Sequence, residues 1–212
     1  MTEDEYWPEK FDVSDIEEAK RIILTPEGDA STEDRWAVET PPLVKLLREY
    51  FDITEQSILI DFGVGVGRVA KELINETGCF IVGVDISASM RTLGHIYCYS
   101  PKFMSCSVEG LTTLLSKGFR ADFAYSAWTL QHSAEPRENI DLLFDALSDT
   151  GGLYVLNAKY GVLPVKEGWK FDTHDLRPIL EAKSARHDYP PPPEGLINET
   201  VHDQMFSGFY WK

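Results

Sequence analysis

The stretch that most constrains this chain lies at residues 58–67 and reads ILIDFGVGVG. Its apolar first half has the composition of a buried strand, and the residues from Arg68 onward read as the start of a helix. Alternate glycines let the backbone adopt positive φ angles and approach a ligand without a Cβ in the way. The helix start adds unpaired backbone N–H groups and the positive end of the helix dipole. A strand, a glycine turn and a helix in this order predict a site for a nucleotide-type cofactor.

The glycine spacing separates two classes of cofactor site. Dinucleotide-binding folds use Gly-x-Gly-x-x-Gly, and counted from Gly63 the last glycine of that pattern would stand at Arg68. The glycines instead alternate from Gly63 to Gly67, and Asp61 precedes them. A carboxylate at that position would repel a pyrophosphate and attract an ammonium group or a bound water. The pattern resembles motif I of the class I S-adenosylmethionine-dependent methyltransferases, and a nicotinamide-dependent dehydrogenase is the weaker alternative.

Strands and helices alternate after residue 57, which predicts a doubly wound α/β fold. The predicted strands lie at residues 58–61, 80–85, 102–105, 122–126 and 153–157. Two late extended stretches, at 185–189 and 205–210, follow. The resemblance implies a Rossmann-like methyltransferase sheet, mostly parallel, with an antiparallel edge strand. We further expect Gly151 and Gly152 to end the helix before the fifth strand, and residues 158–170 to form a loop.

The N-terminal part predicts a helical segment that precedes this sheet. Ser14 and Glu17 match a capping box for a short helix, and a second helix is expected to be entered through Pro41 and Pro42. We therefore divide the chain into an N-terminal helical lid segment, residues 1–39, and an S-adenosylmethionine-binding methyltransferase domain, residues 40–212. In the family such upstream elements often cover the acceptor pocket. Aromatic and cationic residues suited to that role are Tyr6, Trp7, Arg35 and Trp36.

Four ordered segments between residues 40 and 157 carry the resemblance. It implies S-adenosyl-L-methionine as the cofactor. The residues that would bind it are Asp61, Gly63, Gly65, Gly67, Asp85, Ile86, Ser107, Val108 and Ser126.

Two of these residues have alternative interpretations. Asp85 ends the second strand, where a carboxylate can accept both ribose hydroxyl hydrogens, or it caps the following helix. Ser107 stands where the family usually has an aspartate for the adenine amino group. A serine oxygen can also accept that hydrogen bond, or Ser107 only caps the next helix.

Methyl transfer from a sulfonium is an in-line displacement, so alignment and desolvation supply much of the rate. A base is needed only where the acceptor loses a proton. His132 follows the fourth strand and is the candidate catalytic base, with a helix-capping or packing histidine as the alternative. The candidate acceptor-binding residues are Trp36, Trp128 and Tyr160, and for each tryptophan core packing is the alternative role.

The composition of the chain indicates which acceptors are unsuitable and in which cellular compartment we expect the protein. A net charge of −15 argues against binding nucleic acid through its phosphates. No apolar run is long enough for a membrane span, and the acidic N-terminus does not resemble a signal peptide. Three cysteines, an odd number, indicate reduced thiols in the cytoplasm, and no set of metal ligands is complete.

We therefore expect an enzyme that transfers a methyl group from S-adenosylmethionine to a small-molecule or peptide acceptor. The alternative is a catalytically silent module that binds S-adenosylmethionine or S-adenosylhomocysteine and has an interaction role. The sequence makes no prediction of the oligomeric state, of the acceptor or of the atom that is methylated.

Overall fold

The structure is a computed structural model, and it describes residues 5–196 and 204–212. Two sheets contain the strands β1 (Ile58–Phe62), β2 (Phe80–Val84), β3 (Phe103–Cys106), β4 (Ala121–Ala127), β5 (Leu147–Ala158), β6 (Val162–Pro164), β7 (Trp169–Phe171), β8 (Arg186–Asp188) and β9 (Met205–Trp211). The seven-stranded main sheet has the order β3-β2-β1-β4-β5-β9-β8, and β6 pairs with β7 in a second sheet. Strands β1 to β5 are parallel, whereas β9 is antiparallel to both β5 and β8. The predicted fold, a mostly parallel sheet with an antiparallel edge, is confirmed.

Helices cover both faces of the main sheet: α1 (Ile16–Ile23), α2 (Thr32–Phe51), α3 (Arg68–Thr77), α4 (Ala88–Cys98), α5 (Val108–Ser116), α6 (Pro136–Ala146) and α7 (Arg177–Lys183). Successive strand residues point to opposite faces. Leu59 accordingly packs with the buried side chains of α2 and α3, whereas Ile60 packs with those of α5, α6 and α7. Each strand of the parallel sheet is therefore buried on both sides, which is why these segments read as nearly continuous apolar runs.

The expected role of Gly151 and Gly152 as a helix end is wrong. Helix α6 ends at Ala146 and β5 begins at the next residue, so both glycines lie inside a strand. A Cβ on Gly151 would lie 2.9 Å from the Asp122 carbonyl oxygen, and one on Gly152 would lie 2.8 Å from a ring carbon of Phe51. These glycines allow close packing within the sheet and against α2.

The prediction of a loop at residues 158–170 is also wrong, because β6 and most of β7 lie in this range and form a short hairpin. Val162 pairs with Phe171, and Gly168 turns the chain at a φ of +94°. The N-terminal segment pairs with this hairpin. Trp7 N–H donates to the Pro164 carbonyl at 2.9 Å, and Tyr6 forms an isolated antiparallel β-bridge with Val165. Strands of three residues are too short to show a period-two pattern in the sequence.

Both N-terminal helices begin at other residues than expected. Asp15, not Ser14, caps α1 by accepting the Glu18 N–H at 2.8 Å. Helix α2 begins upstream of the two prolines, at a capping box formed by Ser31 and Asp34, and continues through Pro41 and Pro42. The boundary drawn between residues 39 and 40 lies inside this helix. Residues 190–193, four consecutive prolines, lie in neither a helix nor a strand.

Replacement of Leu47 by Ala should destabilise the domain strongly. Leu47 on α2 has no exposed surface, and truncation of such a side chain costs roughly 2–5 kcal/mol through lost burial and the cavity left behind. Ile96 on α4 is 61% exposed, so Ile96→Ala should change the free energy of unfolding by less than about 0.5 kcal/mol. Urea unfolding of both variants measures the difference. Equal losses would mean that α2 does not pack against the sheet as described.

Candidate functional site

A cavity of about 730 Å³ opens at the carboxyl ends of the central parallel strands. Its walls come from the N-terminal segment, the turns after β1, β2, β4 and β5, and the β6–β7 hairpin. In open parallel sheets this edge is where ligands bind. Of the predicted site residues, the cavity is lined by Gly63, Gly65, Asp85, Ile86, Val108, Trp128, His132 and Tyr160.

The turn after β1 is closely packed on both sides. Gly63, Gly65 and Gly67 have φ angles of +82°, +52° and +85°. A Cβ on Gly63 would lie 2.0 Å from Thr129 Oγ1, and one on Gly65 would lie 2.5 Å from Ile23 Cδ1. The glycines are therefore required both by the backbone angles and by the neighbouring side chains. Gly67 caps α3 and is not among the residues that line the cavity.

Asp85 joins the glycine turn to the start of α4. Its Oδ2 accepts the Gly65 N–H at 2.8 Å, and its Oδ1 accepts the Ser87 N–H at 2.9 Å. Burial raises the pKa of this carboxyl group, and the hydrogen bonds from Ser87 and Gly65 oppose that shift. Each carboxylate oxygen has a second lone pair, so Asp85 can hold the turn and still accept hydrogen bonds from a ligand.

Asp61, by contrast, does not reach the cavity. The Tyr125 hydroxyl donates to Asp61 Oδ2 at 2.8 Å, and only 5% of the aspartate is exposed. Desolvation raises the pKa of Asp61 to about 7, although the Tyr125 hydrogen bond and the charge of Arg68 act against it. The contact with the cofactor expected of Asp61 is not made through this cavity.

Trp36 belongs to a buried polar cluster rather than to the cavity wall. Its Nε1 donates to the Tyr97 hydroxyl at 3.1 Å, and the Arg68 guanidinium lies 5.7 Å from its ring centroid. Arg68 donates to Thr40 Oγ1 at 3.0 Å. Trp36 therefore anchors α2 to α3 and α4, which is the packing role that the sequence left open. Its neighbour Arg35 does line the cavity.

Two serines expected at the cofactor also lie away from the cavity lining. Ser107 caps α5 by accepting the Gly110 N–H at 3.2 Å, in agreement with its alternative interpretation. Ser126 is fully buried in β4, and its Oγ has no hydrogen-bond partner among the described residues.

His132 lines the cavity with a defined tautomer. Its Nδ1 lies 2.6 Å from the Val162 carbonyl oxygen, which can only accept, so Nδ1 carries the hydrogen. Nε2 then holds a lone pair, which accepts from Gln131 Nε2 at 3.2 Å. Gln131 Oε1 accepts the Ala158 N–H at 2.6 Å and so orients that amide. Burial lowers the pKa of His132, and the neutral ring therefore predominates at physiological pH.

Aromatic rings surround His132 on the cavity side. The rings of Phe11 and Trp169 have centroids 5.7 Å and 5.0 Å from the imidazole. Trp128 directly follows β4 and has a φ of +59°. Its buried Nε1 has no hydrogen-bond partner among the described residues. Tyr160 is half exposed at the mouth of the cavity.

Sequence reasoning missed several lining residues: Phe11, Gln131, Trp169 and Phe171. The aromatic residues of 160–171 are visible in the sequence. Nothing in their spacing indicates a hairpin that folds back over the strand ends. Among residues 5–196 and 204–212, no cluster of three metal-binding side chains is present, and no helix is long and apolar enough to cross a membrane.

Comparisons with known proteins agree with this geometry. Residues 60–155 match the model of a family described as a methyltransferase domain. A curated relative, phosphoethanolamine N-methyltransferase 2 of Caenorhabditis elegans, is 23% identical over 133 residues, which are 62% of this chain and 30% of that protein. The matched region thus spans about a third of the relative's length.

Two solved structures show the same fold at low sequence identity. An S-adenosylmethionine-dependent methyltransferase from Mesorhizobium loti has a TM-score of 0.60 at 14% identity, with 82% of this chain and 100% of that chain covered. The CurJ carbon methyltransferase has a TM-score of 0.64 at 16% identity, with 97% and 61% covered.

Asp61 should make stability depend on pH. Its pKa is about 7 in the folded chain against an ordinary value of 3.8, so the contribution to stability is complete below about pH 4 and is lost as the pH rises through 7. Asp61→Asn keeps an acceptor for Tyr125 but cannot ionise. Relative to this variant, the wild type should lose free energy of unfolding between pH 5 and pH 8, as measured by urea unfolding.

The matched control is Asp145→Asn, because Asp145 is exposed on α6. The difference in free energy of unfolding between the wild type and Asp145→Asn should stay the same from pH 5 to pH 8, because this variant keeps Asp61. A difference between wild type and Asp61→Asn that is the same at both pH values would contradict the burial of an ionisable Asp61.

Proposed function

We propose that the chain is a class I S-adenosylmethionine-dependent methyltransferase that transfers a methyl group from S-adenosylmethionine to a small-molecule or peptide acceptor, as the methyltransferase-domain match over residues 60–155 supports. One observation carries this proposal. Gly63, Gly65 and Asp85 line the same cavity as Trp128 and His132. We call the first group the cofactor half of the cavity and the second group its acceptor half.

The residues of the cofactor half fit S-adenosylmethionine. Gly63 and Gly65 line the cavity without a Cβ of their own, and Asp85 keeps lone pairs for two ribose hydroxyls. Ile86, 48% exposed beside Asp85, and Val108 offer apolar surface to an adenine ring.

When bound, S-adenosylmethionine supplies a methyl group on a cationic sulfur. The chain's own residues align the acceptor and exclude water, because rings and apolar side chains make up much of the cavity wall. Where the acceptor must lose a proton, the lone pair of His132 Nε2 can take it. The Gln131 amide now occupies that lone pair, so we propose that the acceptor displaces it from Nε2.

The N-terminal segment is proposed as the lid over the acceptor. Tyr6, Phe11, Ile23 and Arg35 all line the cavity, which supports this role. The Arg35 side chain is held in place at the cavity wall, because its Nε donates to Glu39 Oε1 at 2.6 Å. Trp36 supports the lid from behind rather than by contact with the acceptor.

No observation favours the catalytically silent alternative, because the cavity contains a candidate base and an aromatic acceptor half besides the cofactor half. A dehydrogenase site is disfavoured, since Arg68 is a buried residue of α3 where the dinucleotide pattern needs glycine. Cys79, Cys98 and Cys106 are free thiols, which supports the proposed cytoplasmic location.

Replacement of Asp85 tests the cofactor site. S-adenosylmethionine and S-adenosylhomocysteine should bind the wild type and NAD should not. Asp85→Ala removes acceptors of charge-assisted hydrogen bonds, so the dissociation constant of S-adenosylhomocysteine should rise at least about tenfold. Asp149→Asn, at an exposed position of β5, serves as the control and should bind normally. Calorimetric titration decides between these outcomes, and tight NAD binding without a response to either adenosyl compound would refute the assignment.

Replacement of His132 tests the base. On an acceptor that loses a proton, His132→Ala should lower kcat strongly and leave S-adenosylhomocysteine affinity nearly unchanged. Because burial lowers the pKa of His132, the wild-type rate should rise with pH below 6.5 and level off by neutrality. His174→Ala is the matched control, since that side chain is 82% exposed. Wild-type turnover in His132→Ala would remove the base role and leave alignment as the source of the rate.

A further inference from the structure

The mouth of the cavity carries exposed aromatic rings that the core does not require. Tyr160, Trp169 and Phe171 are 50%, 40% and 74% exposed, and all three line the cavity. Apolar surface of this kind, concentrated at one concave site, is typical of a ligand-binding surface. The ring wall is defined here as Phe11, His132, Tyr160, Trp169 and Phe171.

Three rings of the ring wall pack against one another beside the candidate base. Phe11, His132 and Trp169 lie within 5.0–6.2 Å of one another by ring centroid, and each pair is tilted by 39–52°. These rings come from three separate segments of the chain, yet they meet beside the candidate base. Aromatic rings interact favourably at such separations and angles, and an aromatic guest adds further contacts of the same kind.

Charges at the ring wall disfavour the main rival, a cationic acceptor held by cation–π contacts. Lys10 Nζ already lies 5.3 Å from the Trp169 ring centroid, and Lys159 lines the cavity. The described lining includes two carboxylates, Glu27 and Asp85, and neither lies on the segments that carry the ring wall. An ammonium group at the rings would therefore compete with Lys10, which already lies over the face of Trp169.

We propose that the acceptor is a planar aromatic molecule that binds against the ring wall with its reactive atom toward His132. The inference rests on the proposed methyltransferase function and narrows its acceptor class. It assigns to the β6–β7 hairpin the selection of the acceptor, because Trp169 and Phe171 belong to that hairpin.

The test compares three probes by calorimetric titration of the full chain loaded with S-adenosylhomocysteine: 2-naphthol, its saturated counterpart decahydro-2-naphthol, and choline. We expect 2-naphthol to bind about tenfold more tightly than the saturated alcohol, and choline to bind weakest. Trp169→Leu should remove most of that preference. Tyr99→Leu is the matched control, because Tyr99 is 90% exposed after α4 and is not among the lining residues.

Phe171→Leu provides a second variant in case Trp169→Leu perturbs the hairpin, since the exposed Phe171 tolerates replacement more easily. Equal affinity for 2-naphthol and its saturated counterpart, or tighter binding of choline, would overturn the proposal. A failure of S-adenosylhomocysteine to bind would count against the proposed function instead. The same three titrations without S-adenosylhomocysteine would then still decide the aromatic preference.

Discussion

The glycine turn after β1 is the constraint on which the rest of the site depends. Gly63 N–H and Val64 N–H donate to the Val84 carbonyl at 2.7 and 3.1 Å, and Asp85 accepts from Gly65. The turn is thus bonded to the end of β2, so two strand ends and the start of α3 are fixed as one unit. Thr129 and Ile23 occupy the space that a Cβ on Gly63 or Gly65 would need. The segment after β4 and the end of α1 therefore pack directly against the turn. A ligand over this backbone would contact all three elements at once.

A second set of interactions joins the N-terminal segment to the sheet through buried charges. Asp61 shares a strand face with Leu59 and is directed toward α2 and α3, where the charge of Arg68 acts on it. Arg68 bonds Thr40, and Glu39 accepts from Arg35, which reaches the cavity. Removing one member of a buried charged cluster leaves its partners uncompensated. The aspartate before the glycines therefore belongs to the set of buried residues that includes Arg68 and Thr40, beside the start of α2.

Local patterns in the sequence were sufficient for the parallel sheet and for the cofactor half. The positions of Gly63, Gly65 and Asp85 depend only on a strand, a turn and a helix start that follow one another along the chain, so their place at the cavity could be predicted. The acceptor half depends on contacts between distant segments, such as Trp7 with Pro164 and Phe11 with Trp169, and no local pattern encodes them. The sequence also did not indicate which side chains reach the cavity, since Asp61, Ser107 and Ser126 are not among the residues that line it.

The environment of His132 decides which acceptors need it. The Val162 carbonyl fixes a hydrogen on Nδ1, so a proton taken up at Nε2 gives a cation in a buried site. Burial lowers the pKa of His132, which makes the neutral ring available but also makes it a weak base. Such a base is matched to an acidic donor, whose proton is given up readily, and it is a poor match for an aliphatic alcohol. An aromatic hydroxyl is acidified by its ring, and the same ring would contact Phe11 and Trp169. The lowered pKa of His132 and the rings of Phe11 and Trp169 beside it therefore both agree with the proposed aromatic acceptor.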